Sequence, residues 1–90
     1  MKMKILIVDD CNSIQTIISS FLSPEFDCSG ASSAEEGLAS LKIKPVDMVV
    51  LDLNMPGMGG EAMLREIRMD DAMKNTRVLI LSAEASSSVK

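Results

Sequence analysis

Residues 4–8 read Lys-Ile-Leu-Ile-Val and stop abruptly on Asp9 and Asp10. After Lys4 the run is apolar at every position, rather than at every second one, which fits a strand covered on both faces, as strands of parallel sheets are. The pattern returns twice. Met48-Val49-Val50-Leu51 ends on Asp52, and Val78-Leu79-Ile80-Leu81 ends on Ser82. A weaker run, Phe26 to Ala31, is read as a further strand.

Between these runs the periodicity changes to that of helices. Ile14, Ile17, Ile18, Phe21 and Leu22 recur at i, i+3, i+4, i+7 and i+8, one face of an amphipathic helix. Asn12 or Ser13 is placed to cap its start, and Pro24 follows its end. Ser32 and Ser33 precede Glu35 and Glu36 in two overlapping capping-box registers, with Ala34, Leu38 and Leu41 on the apolar face of the helix that follows. Pro56, Gly57, Gly59 and Gly60 crowd a stretch read as irregular. A third helix is expected from about Glu61 to Met69, with Leu64 and Ile67 inward and Glu61 and Arg65 at i, i+4 in the favourable order. Strand and helix alternate three times and a strand follows, the order of an α/β fold with a parallel sheet and helices on both faces. Residues 1–90 are read as one domain.

Composition excludes several function classes. The chain has no Trp, no Tyr and two Phe, so it lacks the aromatics of a base-stacking surface. Its net charge of −4 is wrong for binding a phosphate backbone, and no direct nucleic-acid partner is expected. With no His and two scattered cysteines, Cys11 and Cys28, it has neither a zinc pattern nor a disulfide scaffold. No apolar stretch reaches the roughly 20 residues that span a bilayer, and the first residues are too short for a signal peptide. A cytoplasmic protein without a membrane partner is expected.

The chemistry gathers where the apolar runs end. In an open parallel sheet the carboxyl ends of the strands form the crevice that binds ligands. If the strands ending on Asp10 and Asp52 are neighbours, their ends lie about 5 Å apart. Carboxylates that close repel one another, and a hard divalent cation with oxygen ligands, Mg²⁺, is the natural compensation. One carboxylate of such a site can attack a phosphoryl group to give an acyl phosphate. Ser82 can then donate its hydroxyl to a phosphoryl oxygen. Taken singly, each residue has a plainer reading: Asp9 and Asp10 as helix caps, Asp52 as a turn former, Ser82 as a strand-end hydroxyl.

Together these motifs resemble the receiver domains of response regulators. Ile7-Val8-Asp9-Asp10 is similar to their acidic opening. Asp52-Leu53-Asn54-Met55-Pro56, followed by Gly60, is similar to their phosphoacceptor strand and loop, and Leu81-Ser82-Ala83 to their switch-hydroxyl strand end. The resemblance implies a doubly wound, flavodoxin-like parallel sheet, here with strands 1–4 and helices 1–3 in spatial order 2-1-3-4. It implies Asp52 as phosphoacceptor, with Asp10 a direct Mg²⁺ ligand, Asp9 acting largely through water, and Asn54 giving its backbone carbonyl to the metal. Ser82 would bind the phosphoryl group and report it, and Ala83 would leave room for it. Asn54 and Glu84 would tune how fast the group is lost. The function implied is a phosphoacceptor module of a two-component phosphorelay. Its donor would be a sensor histidine kinase or phosphotransfer protein and its target a downstream protein. It would not be an enzyme in the ordinary sense, although it would assist its own phosphorylation and dephosphorylation.

Two departures accompany the resemblance. Gly59 stands where the family commonly has Asp or Asn. The family's fifth strand, with its lysine, has no counterpart, and Lys90 falls where a fourth helix is expected, so the chain reads as C-terminally truncated. A sheet edge left open in this way invites pairing, and a homodimer through that edge is one way to cover it. The departure also motivates an alternative, a degenerate receiver that binds partners without phosphorylation. An aspartyl-phosphate hydrolase is a further alternative, weakened because Asn54 occupies the position of a second acid.

Overall fold

Each apolar run becomes a short strand and each amphipathic stretch a helix packed on the resulting sheet. The computed structural model describes residues 2–53, 55, 57 and 59–81. Its elements are β1 (Lys4–Val8), α1 (Asn12–Leu22), β2 (Asp27–Ala31), α2 (Ala34–Ile43), β3 (Met48–Asp52), α3 (Gly59–Met69) and β4 (Arg77–Leu81). All pairings are parallel, in the order β2-β1-β3-β4. This is the doubly wound order that the resemblance implies. Among the described residues, no helix is long and apolar enough to cross a membrane.

Strand alternation divides the apolar residues between two cores. Leu6, Val8, Val49 and Leu51 join Ala34, Leu38 and Leu41 of α2 and Met63 and Ile67 of α3 on one face. Ile5, Ile7 and Val50 face the other way, where Ile18 and Leu22 of α1 and Phe26, Cys28, Met48 and Leu81 pack against them.

Several local expectations are corrected. The N-cap of α1 is Cys11, which makes no side-chain cap bond, so Asn12 and Ser13 lie inside the helix. The helix docks through half-buried Gln15, Ile18, Ser19 and Leu22, whereas Ile14, Ile17 and Phe21 are exposed, Phe21 by 82%. The apolar stripe is wider than the surface that receives it. Of the two capping registers before α2, Ser33 is used: its Oγ accepts from the Glu36 N–H at 3.0 Å. The Glu36 carboxylate accepts from the backbone of Ser32.

Gly59 and Gly60 belong to α3 rather than to the preceding loop. The principal inward residue of α3, beside Ile67, is Met63, fully buried, while Leu64 is only partly so. Glu61 and Arg65 form no ion pair; among the described residues the ion pair is the exposed Asp71–Lys74, at 3.5 Å. Leu79 and Ile80 of β4 are exposed, because no further strand or helix among the described residues covers them.

Candidate functional site

The register brings the carboxylates together. Val8 pairs with Leu51 across β1 and β3, so the next residues, Asp9 and Asp52, emerge side by side at the carboxyl ends of adjacent central strands. Asp10 follows directly. One carboxylate oxygen from each of Asp9, Asp10 and Asp52 lies within 4.8 Å of the others. Asp9 is buried, Asp52 half-buried and Asp10 exposed, so the cluster opens to solvent from one side.

The backbone around the cluster is fastened at each strand. The Asp9 N–H donates to the Ala31 carbonyl at 3.0 Å, and the Asp9 Oδ1 accepts from the Cys11 N–H at 2.9 Å. On the far side, Asp52 is in register with Leu81, and the Leu53 N–H donates to the Leu81 carbonyl at 3.1 Å. Gly60 packs directly beneath this turn. A Cβ there would run into the Asp52 carbonyl oxygen and come within 2.6 Å of the Leu53 Cα. Only glycine lets α3 start this close to the backbone that carries Asp52.

Burial pushes the Asp9 carboxyl above its ordinary value of 3.8. The Cys11 N–H opposes this, and the charges of Asp52 and Asp10 add to it. A dense cluster of negative charge with a desolvated member is what a cation would relieve. All three side chains offer hard carboxylate oxygens, with no nitrogen or sulfur among the clustered groups, so the donor set suits Mg²⁺. Cys28 has no such role: burial raises its thiol, as does the charge of Asp27, while a Ser19 hydrogen bond opposes both.

Asp9, Asp10 and Asp52, chosen from sequence, are thus brought together. Asn54, Ser82, Ala83 and Glu84 lie outside the described residues. Two further residues support the cluster, and the first is Gly60, through its contact with the Asp52 strand. The second is Gln15, whose Nε2 donates to the Asp9 carbonyl at 2.7 Å and to the Ala31 carbonyl at 3.0 Å. The available signal was its spacing: Gln15 stands at i, i+3 and i+7 with Ile18 and Leu22, a polar residue on the docked stripe.

The family model for the response regulator receiver domain matches residues 5–90. The chain is 41% identical over 86 residues to chemotaxis protein CheY-3 of Vibrio cholerae, covering 92% of this chain and 65% of that protein. It therefore spans just under two thirds of that relative's length. Among solved structures it is similar to the chemotaxis response regulator CheY4 of Vibrio cholerae. The TM-score is 0.90 at 32% identity, covering 100% of this chain and 76% of the other. The phosphorylated cyanobacterial phytochrome response regulator RcpA gives a TM-score of 0.82 at 26% identity, covering 91% and 66% of the two chains.

Proposed function

The chain belongs to the response regulator receiver family, and from that premise we propose that it is a phosphoacceptor signalling module whose acceptor is Asp52. The observation that carries the reading is the convergence of three carboxylate oxygens within 4.8 Å at the ends of the two central strands. The similarity to a phosphorylated response regulator supports it.

In this reading a carboxylate oxygen of Asp52 forms a bond to the phosphorus of the donor. The bond from phosphorus to the donor imidazole, or to the acetate of acetyl phosphate, breaks, and the leaving group keeps that electron pair. Mg²⁺, when bound, supplies charge neutralisation between the carboxylates and the phosphoryl oxygens. Asp10 and Asp52 would hold the ion directly, Asn54 would add its backbone carbonyl, and Asp9, its own carboxylate held by the Cys11 N–H, would act largely through water. The Ser82 hydroxyl binds a phosphoryl oxygen beside Ala83, and Asn54 and Glu84 set how long the phosphoryl group survives.

The donor in this reading is a histidine of a sensor kinase or of a phosphotransfer protein. Phosphorylation shifts the population of conformers at the surface around α3 and β4 and so changes the affinity for a downstream protein. Intact mass after incubation with acetyl phosphate tests the acceptor. A single phosphoryl adduct is expected with Mg²⁺, lost on chelation and absent from Asp52→Ala. An adduct that persists in Asp52→Ala would remove Asp52 as the acceptor.

A further inference from the structure

The peptide unit joining Asp9 to Asp10 is gripped by a side chain from outside the acidic cluster. The Gln15 amide nitrogen spends both its N–H groups, one on the Asp9 carbonyl at 2.7 Å and one on the Ala31 carbonyl at 3.0 Å. The Ala31 carbonyl also accepts the Asp9 N–H at 3.0 Å. Gln15 thus ties α1 to the last residue of β2 and to the residue that follows β1. Two carbonyl oxygens face this amide, so its nitrogen must point at them and its oxygen must point away. That oxygen lies over Gly30 of β2, and a Cβ on residue 30 would collide with it.

The Asp9 carbonyl belongs to the same rigid plane as the Asp10 nitrogen. Fixing that plane fixes where the Asp10 Cα begins, and so where its carboxylate can reach. The Cys11 N–H bond to the Asp9 Oδ1 fixes the neighbouring turn. We propose that Gln15 is a positioning residue of the acidic cluster, holding the Asp9–Asp10 peptide in its cation-binding orientation, and that Gly30 leaves the room in which the Gln15 amide takes this position. This rests on the reading that Asp9, Asp10 and Asp52 hold a divalent cation. It adds two residues that touch neither the cation nor the phosphoryl group.

The test is Mg²⁺ affinity by titration calorimetry on the 90-residue chain, with urea unfolding measured in parallel on every variant. Gln15→Met keeps the length of the side chain and removes the donors. Its Mg²⁺ dissociation constant is expected to rise about tenfold, the low end for residues that orient metal ligands from behind. Gly30→Ala is expected to give a similar loss, and the double variant to bind no more weakly than either single one, since both act through one amide. Gly30→Ala carries the test alone if Gln15→Met does not fold. A Gln15→Met chain that loses stability but binds Mg²⁺ as the parent does would overturn the positioning role. Additive losses in the double variant would overturn the link to Gly30. No Mg²⁺ binding by the parent, with Asp52→Asn as its reference, would instead remove the cation reading, and this inference with it.

Discussion

The two faces of the sheet are built from neighbouring residues of the same strands, yet they differ in how completely they are covered. On the α2–α3 face, Leu6, Val8, Val49, Leu51, Met63 and Ile67 are all fully buried. On the α1 face, Ile5, Ile7 and Val50 are buried, but the helix above them buries no residue of its own, and Ile17, Phe21 and Leu79 are exposed. An open cleft of about 420 Å³ separates part of α1 from β2, lined by Ile7, Gln15, Thr16, Ser19 and Cys28 among others. Apolar pattern qualifies a residue for burial. A second element must still arrive to bury it.

This contrast can be broken by experiment. Leu6→Ala should leave a cavity in the closed face and cost roughly 4 kcal/mol in urea unfolding. Ile7→Ala, one residue along, borders the open cleft, whose walls and solvent can adjust, and should cost roughly 2 kcal/mol. Equal losses would mean that the two faces are equally well packed.

The rim that both faces share gives the next effect. The Asp9 carboxyl is raised in the folded chain, so its favourable contribution is present below about 3.8 and is lost as pH rises through its raised value. Asp9→Asn, which keeps an oxygen for the Cys11 N–H, should therefore stabilise the metal-free protein at neutral pH by about 1 kcal/mol. The gain should shrink towards zero near pH 3, roughly where both forms of residue 9 are neutral. Added Mg²⁺ should narrow the gap at neutral pH by stabilising the parent. A gain independent of pH would locate the cause outside the charge cluster.

The smallest effect belongs to the open face. Phe21→Ala should change stability by less than about 0.5 kcal/mol, because the ring is already in solvent. A loss comparable to that of Ile7→Ala would show that Phe21 is covered in solution, and unfolding measured across protein concentrations would then reveal whether a second copy covers it.

Sequence alone determined the strand and helix order along the chain, the parallel sheet and the placing of Asp9, Asp10 and Asp52 at strand ends. These follow from local facts: continuous apolar runs, a 3.6-residue period, and polar residues where the runs stop. The inward role of Ile67 was legible for the same reason. Tertiary structure decided what depends on contacts between distant segments. The period of α1 marks a broad apolar stripe, but only the sheet beneath it selects Ile18 and Leu22 and leaves Ile14, Ile17 and Phe21 outside. Gly60 reads locally as a loop breaker, and only the approach of α3 to the Asp52 backbone makes it a packing residue. Gln15 is an ordinary polar helix residue until the ends of β1 and β2 present it with two carbonyl oxygens. Hydrogen-bond partners and close approaches join residues far apart in the chain, and a local pattern carries no record of which will meet.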